Sequence, residues 1–254
     1  MIRLDFDAAE ISVADPEGER RYALSSPEGF AVLSEAWLRS GWANRYSYTF
    51  TWFGRPVIQL PEDLIRLQEL VYQLKPDVVI ETGVAHGGSA VFLAGLCRLI
   101  GKGRVIAVDV EIRPHNRAAL EAHEFAYLIT LIEGDSASNT TVDRVKAEIG
   151  IDESVMVLLD SNHSKTHVLA ELAAYSSLVR PGGFIIIADG VMARLTGLPG
   201  ARPDWTWNNP NSAIDAFLAQ NPDFERTAPP CPFNERGVPT GGSYWSGGYL
   251  RRVR

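Results

Sequence analysis

Apolar and polar residues alternate along the chain in two ways, and these patterns predict most of its secondary structure. Short runs rich in Val and Ile, such as VVIET (78–82) and VMVLL (155–159), are typical of strands buried on both faces. Longer stretches, such as PEDLIRLQELVYQL (61–74), repeat apolar residues every three or four positions, as amphipathic helices do. Five such strands, separated by helices, predict a doubly wound α/β fold with a mostly parallel sheet.

The first 60 residues do not follow this alternation. EGFAVLSEAWLRSGW spaces Phe30, Leu33, Trp37 and Leu38 as one helical face, and YSYTFTWFGRPVIQL is aromatic and favours strands. We therefore expect an N-terminal helical and aromatic extension over residues 1–60, which contacts an acceptor or another subunit, and one α/β domain over residues 61–254. The tail, GGSYWSGGYLRRV, predicts an edge strand that closes the sheet.

Composition narrows the class of protein. The 254 residues carry a formal net charge of -7, which argues against nucleic-acid binding, and no run reaches the roughly 20 apolar residues that span a bilayer. Cys97 and Cys231 have neither a metal-type spacing nor the density of a disulfide scaffold. The acidic start, MIRLDFDAAE, is unlike a signal peptide. We expect a cytoplasmic protein with reduced cysteines, no membrane span and no nucleic-acid partner.

A carboxylate follows every predicted strand of the α/β region. In strand order these side chains are Glu81, then Asp109 and Glu111, then Asp135, then Asp160 with His163 close behind, and finally Asp189. Asp and Gly are common in turns, so one such residue means little. Because ligands of these sheets bind beyond the carboxyl ends of the strands, the recurrence predicts a functional site at that edge.

The first of these loops, ETGVAHGGS (81–89), indicates the type of ligand. Its glycines do not form the G-x-G-x-x-G pattern of dinucleotide folds, and no lysine follows to make a phosphate loop. Gly83 and Gly87 would let the backbone approach a ligand closely, whereas Glu81 would repel a pyrophosphate and attract a cation. Asp109, which ends the next strand, suits a ribose diol. A ribose with a positive charge describes S-adenosylmethionine; a glycine-rich turn with an ion-paired Glu81 is the alternative.

Four segments resemble a known family over residues 45–254: VVIETGVAHGGSAVFLA, LLDSNHSKTHVLAEL, GGFIIIADG and NNPNSAIDAFLAQNPDFE. They resemble the cephalosporin-hydroxylase-like family, which includes rhamnosyl O-methyltransferases. The resemblance implies a Rossmann-like class I methyltransferase fold, S-adenosylmethionine as methyl donor, and a divalent metal, usually magnesium. It also implies a small-molecule acceptor, the hydroxyl of a sugar or glycosylated natural product, and a homo-oligomer.

The resemblance also implies roles for individual residues. Donor-binding positions fall on Glu81, Gly83, Ser89, Asp109, Asp135 and Ser136, to which the loop pattern adds Gly87. Metal ligands fall on Asp160 and Asp189, and a general base on His163. Where the family has Glu-Asp after its fifth strand, this chain has Ala188-Asp189. The site is then expected to bind metal more weakly, to use another oxygen, or to work without metal.

These residues suggest a mechanism. An aliphatic hydroxyl is a poor nucleophile at neutral pH, but magnesium on Asp160 and Asp189 would make a bound hydroxyl more acidic, and His163 would accept its proton. A zinc site on His163, His167 and Glu171 is an alternative, although we expect His167 to be solvated.

Several interpretations stay open. His86 is a donor or acceptor contact or a turn residue, and the aromatic segments 46–53 and 205–207 wall an acceptor pocket, fill the core or form a subunit interface. Two functions are alternatives to an O-methyltransferase: a hydroxylase-associated protein and a non-catalytic S-adenosylmethionine-binding subunit. Ala188 favours the second of these.

Overall fold

The computed structural model describes residues 1–239 and 241–254 of the chain. The N-terminal elements are β1 (Ile2–Asp5), β2 (Glu10–Asp15), β3 (Gly18–Ala23), α1 (Pro27–Ala43), β4 (Phe50–Trp52) and β5 (Arg55–Val57). They are followed by α2 (Pro61–Leu74), β6 (Val78–Thr82), α3 (Gly88–Ile100), β7 (Arg104–Asp109), α4 (Pro114–Glu121), β8 (Ile129–Glu133), α5 (Asn139–Ala147), β9 (Val155–Leu159), α6 (Lys165–Tyr175), β10 (Phe184–Ile187), α7 (Pro210–Leu218), β11 (Phe224–Thr227) and β12 (Tyr249–Arg252).

The central sheet has seven strands in the order β11-β12-β10-β9-β6-β7-β8. The five strands predicted from the Val/Ile-rich runs pair in parallel, and β12 pairs antiparallel with both β10 and β11. This confirms the prediction of a doubly wound, mostly parallel α/β fold.

The prediction that the tail forms an edge strand is wrong. β12 lies between β10 and β11, and its residues Tyr249 and Leu250 are fully buried. The edge strand on that side is β11, whose sequence FERT exposes two charged residues and carries no strand pattern of its own. Its place follows from pairing with β12 and not from a local apolar run.

Both faces of the sheet are covered, as the sequence of its strands requires. In β6, Val79 packs into one buried cluster with Leu67 and Leu93, whereas Ile80 packs into the cluster on the other face with Leu172. Successive strand residues point to opposite faces, so each strand contributes to both clusters. Complete burial of such a side chain stabilises the fold by about 1.5–3 kcal/mol.

The N-terminal segment differs from its prediction. Residues 2–23 form an antiparallel three-stranded sheet that was not predicted, because β1 and β3 are mostly exposed and show no apolar alternation. Helix α1 forms as predicted, with Ser26 as N-cap accepting from the backbone N–H of Gly29. Of its predicted apolar face only Leu38 is buried; Phe30 and Trp37 are exposed. The division of the chain near residue 60 stays a prediction.

No helix within residues 1–239 and 241–254 is both long and apolar enough to cross a bilayer.

Candidate active site

A cavity of about 920 Å³ opens beyond the carboxyl ends of the parallel strands. Eight residues predicted from the sequence line it: Gly83, Ser89, Asp109, Asp135, Ser136, Asp160, His163 and Asp189. They come from loops after five different strands and meet because parallel strands end at the same edge. Glu81 and Gly87 are not among the lining residues. Glu81 lies buried behind the wall, and Gly87 forms the N-terminus of α3.

Glu81 is a fully buried carboxylate. It is 0% exposed, and among residues 1–239 and 241–254 no donor makes a hydrogen bond of standard geometry to either carboxylate oxygen. Burial raises the pKa of Glu81 to about 8, opposed by the nearby hydroxyl of Ser89 and increased by the charge of Asp109. An unpaired buried carboxylate is unfavourable unless a cation lies close by. This arrangement fits a ligand with a positive charge.

The loop after β6 packs so closely against neighbouring backbone that two of its positions have no room for a side chain. Gly83 has φ +93°, and a Cβ there would stand 2.1 Å from the carbonyl oxygen of Asp160. Gly88 is held similarly, with its hypothetical Cβ 2.1 Å from the carbonyl oxygen of Pro56. The Asp109 carboxylate supports the loop, because its Oδ2 accepts the backbone N–H of Val84 at 2.8 Å. These glycines therefore let the loop pack closely against the neighbouring backbone, which differs from the expected role of Gly83 in letting the backbone approach a ligand.

Asp160 lies at the wall of the cavity together with Asp189. Burial, followed by the charges of Asp189 and Glu81, raises the pKa of Asp160 well above its usual range. Its Oδ2 accepts a hydrogen bond from Nε2 of Gln59 at 2.6 Å. Asp189 has φ +56°, a left-handed conformation that is uncommon outside glycine and recurs at functional sites.

Asp160 and Asp189 are the residues predicted to bind a divalent metal ion. Among residues 1–239 and 241–254, no group of three His, Cys, Asp or Glu side chains is arranged to hold a metal ion. The zinc alternative is therefore wrong for this part of the chain. Magnesium often uses only one or two carboxylates, with water and substrate oxygens completing its shell. Asp160 and Asp189 both line the cavity, so they are the pair that could supply carboxylate oxygens to such an open site.

His163 lies within reach of the second aspartate. Its Nε2 is 3.3 Å from Oδ2 of Asp189, and both side chains are about three-quarters buried. Both also line the cavity. This contact can hold the imidazole ring in a fixed orientation while leaving it accessible to a ligand.

The expectation that His167 is solvated is wrong. Its Nε2 lies 3.1 Å from Oγ of Ser136 and 3.2 Å from Oγ of Ser161, and pairing with Glu171 raises its pKa. Glu171 is fully buried, and its Oε1 accepts both serine hydroxyls. The first two turns of α6 face the loop after β8, which turns His167 inward. The i, i+4 spacing of His167 and Glu171 was the available signal.

Residues of the N-terminal segment form much of the opposite wall. Trp42, Arg45, Ser47, Tyr48 and Gln59 line the cavity together with Tyr244 from the C-terminal loop. The ring centroids of Trp42 and Tyr244 are 5.5 Å apart, and Trp205 lies edge-on to Trp42 at 5.7 Å. The hydroxyl of Tyr244 is buried and has no hydrogen-bond partner in the part of the chain that the structure describes. His86 also lines the cavity. Sequence reasoning missed Gln59 and Tyr244; the one signal was a polar residue, Gln59, inside an apolar run.

Comparison with known proteins identifies a family and several relatives of this chain. Residues 44–253 match the family described as Rhamnosyl O-methyltransferase/CmcI. The rhamnosyl O-methyltransferase of Mycobacterium tuberculosis is 29% identical over 180 residues, which cover 70% of each chain. That of Mycobacterium leprae is 29% identical over 182 residues, which cover 70% of this chain and 74% of the relative.

Solved structures share the fold at low sequence identity. A structure of CmcI with Mg and SAM has a TM-score of 0.54 and 18% identity, covering 82% of this chain and 78% of that one. An O-methyltransferase from Bacillus cereus in complex with SAH has a TM-score of 0.52 and 18% identity, with 89% and 91% covered. These similarities confirm the predicted Rossmann-like class I fold.

Proposed function

Since this chain belongs to the rhamnosyl O-methyltransferase/CmcI family of S-adenosylmethionine-dependent O-methyltransferases, we propose that it methylates a hydroxyl of a sugar, of rhamnosyl type, or of another secondary metabolite in natural-product biosynthesis. One observation carries this proposal: His163, Asp160 and Asp189 line the same cavity as the Gly83 loop. The proposed base, the two carboxylates and the loop proposed to bind the donor therefore line one cavity.

The donor half of the cavity is formed by the loops after β6, β7 and β8. The carboxyl of Glu81 lies fully buried next to this half of the cavity, and a bound cation would stabilise its ionised form. Asp109 presents a carboxylate at the rim for ribose hydroxyls, and Asp135 and Ser136 line the side next to it. These residues bind and orient the donor, and such positioning supplies much of the rate in a bimolecular transfer.

The acceptor half lies between the N-terminal segment and the loop after β10. Trp42, Tyr48 and Tyr244 offer aromatic faces on which a sugar ring can stack, which supports the expectation that residues 1–60 contact the acceptor. Asp160 and Asp189 would hold magnesium. Nε2 of His163 faces Asp189, so His163 would take the proton of the acceptor hydroxyl at its other ring nitrogen, Nδ1. When bound, the donor supplies the methyl group on its sulfonium, and magnesium would make the acceptor hydroxyl more acidic.

A non-catalytic S-adenosylmethionine-binding subunit is the second candidate. It is favoured by Ala188, whose side chain is fully buried among apolar residues and supplies no ligand. A homo-oligomer, a cytoplasmic location and the absence of nucleic-acid partners stay predictions.

The test is transfer of a labelled methyl group from S-adenosylmethionine to para-nitrophenyl α-L-rhamnopyranoside and to a rhamnosylated glycolipid. Each reaction is run with EDTA, and again after magnesium is restored. We expect transfer that EDTA reduces and magnesium restores. Transfer insensitive to EDTA would remove the metal from the proposal. Tight donor binding without transfer to either acceptor would favour the non-catalytic subunit.

A further inference from the structure

Gln59 links the buried Trp245 to the carboxylate of Asp160. Its side chain is 5% exposed; Nε2 donates to Oδ2 of Asp160 at 2.6 Å, and Oε1 accepts from Nε1 of Trp245 at 3.1 Å. An indole N–H only donates, so the Trp245 contact determines which end of the amide faces Asp160. A flipped amide would set donor against donor at Trp245 and acceptor against carboxylate at Asp160.

Trp245 is itself held in place by a second set of polar contacts. Its backbone N–H donates to Oγ of Ser243 at 3.0 Å, and that hydroxyl donates to Oδ1 of Asp63 at 2.6 Å. The backbone N–H of Tyr244 donates to Oδ2 of Asp63 at 3.0 Å. Asp63 lies in the first turn of α2, two residues after its start, and Gln59 lies two residues before that start. The residues around the start of α2 therefore hold Trp245 in two ways: Gln59 binds its indole N–H, and Asp63 binds the loop residues Ser243 and Tyr244 just before it.

Asp160 needs such support more than an ordinary carboxylate does. Among residues 1–239 and 241–254, the side chain of Gln59 is the hydrogen-bond donor to its carboxylate, which shares the cavity wall with the carboxylate of Asp189. Ala188 provides no further ligand that would fix a shared cation. An error of about 1 Å in a catalytic group can cost on the order of 100-fold in rate.

We propose that Gln59 is a positioning residue for Asp160. Held by Trp245, its amide N–H occupies one lone pair of Oδ2 and leaves the other lone pairs of the carboxylate for a cation or an acceptor hydroxyl. The inference rests on the proposed function, because the placement of Asp160 matters for methyl transfer. Gln59 thereby acts through Asp160 and not by contact with the reacting atoms.

The test compares Gln59→Leu, Asp160→Ala and the double variant with the wild-type protein. Gln59→Leu removes both hydrogen bonds at similar volume, and Gln73→Leu, on the exposed surface of α2, is the matched control. The first readout is kcat and KM for transfer to para-nitrophenyl α-L-rhamnopyranoside, together with the Kd of S-adenosylhomocysteine. The second is the indole N–H resonance of Trp245 in ¹⁵N-labelled protein, identified as the signal lost in Trp245→Phe.

We expect Gln59→Leu to lower kcat by about 10- to 100-fold with donor Kd within about twofold of wild type. The same substitution should have little further effect in the Asp160→Ala background, because the two residues act as one unit. Asp160→Ala should move the Trp245 indole resonance when Gln59 is present and leave it in place in Gln59→Leu. Gln73→Leu should behave as wild type in every readout.

Two results would overturn the proposal. One is additive effects of the two substitutions with an unmoved Trp245 resonance. The other is a parallel loss of kcat, donor affinity and thermal midpoint in Gln59→Leu, which would indicate a purely structural residue. If the wild-type protein methylates no acceptor, the proposed function fails, whereas the Trp245 resonance still decides whether Gln59 couples that residue to Asp160.

Discussion

Nε2 of His163 lies 3.3 Å from Oδ2 of Asp189, so the proposed base and a proposed metal ligand meet at one carboxylate. A carboxylate beside an imidazole orients the ring and stabilises the imidazolium that forms when it accepts a proton. Asp189 is held for this task by its left-handed backbone and by the end of β10, where it follows the buried Ala188.

Replacing His163 with Ala should lower kcat by about 100- to 10,000-fold, because general base catalysis contributes a factor of this size. The Kd of S-adenosylmethionine should stay within about twofold, since His163 lies on the acceptor side. His115→Ala, at an exposed histidine, is the control. Methyl transfer and calorimetric titration of the donor measure the two quantities. Unchanged turnover in His163→Ala would exclude it as the base.

Replacing Gly83 with Ala should abolish donor binding and destabilise the fold. Its φ of +93° disfavours a side chain by about 1–2 kcal/mol, and the new Cβ would overlap the carbonyl oxygen of Asp160. Gly182→Ala is a matched control, because Gly182 has φ +87° with no atom within 4 Å of its hypothetical Cβ. Urea unfolding and donor Kd are compared in the two variants. Equal losses of unfolding free energy and donor affinity in the two variants would mean that backbone strain dominates at Gly83, and not the close approach to the carbonyl oxygen of Asp160.

Replacing Tyr244 with Phe should raise the KM of the acceptor by about 5- to 30-fold and leave the donor Kd unchanged. Tyr244 lines the cavity, and its hydroxyl has no hydrogen-bond partner among the described residues. A hydroxyl of a bound acceptor could supply that partner, and such a bond contributes about 1–2 kcal/mol. Removal of an unpaired hydroxyl should not reduce the free energy of unfolding. A drop of more than about 1 kcal/mol would instead show that the hydroxyl serves the fold.

Asp63 should make the protein less stable as the pH rises from about 4 to 7. Burial raises the pKa of Asp63 to about 7, opposed by hydrogen bonds from Ser243 and Tyr244, whereas an unfolded Asp ionises near 3.9. Between pH 4 and pH 7 the Asp63 carboxyl holds a proton in the folded chain but not in the unfolded chain. The stabilisation that this proton provides is complete below about pH 4 and is lost as the pH rises through 7.

The upper limit of this loss is on the order of 4 kcal/mol. Asp63→Asn cannot ionise and should therefore gain stability relative to wild type between pH 5 and pH 8. The measurement is the free energy of unfolding in urea for both proteins at the two pH values. A wild-type-minus-variant difference that is the same at pH 5 and pH 8 would contradict the raised pKa.

The amino-acid sequence by itself determined the parallel sheet and the residues at its edge. The alternation of strands and helices from residue 61 is a local property of side chains, since burial on both faces requires continuous apolar runs and amphipathic helices. Once the strands are parallel, their carboxyl ends coincide, so Asp109, Asp135, Asp160 and Asp189 had to meet at one cavity.

Only the tertiary structure decided the contacts between distant segments. Gln59 meets Asp160 across 101 residues and Trp245 across 186, and β12 enters the sheet inside β11. These contacts depend on how α2 and the C-terminal loop pack on the finished sheet, and no local period of apolar residues encodes that packing. His167 turned inward for a related reason: both His167 and the buried Glu171 contact the hydroxyl of Ser136, which follows β8 and is 31 residues from His167 in the chain.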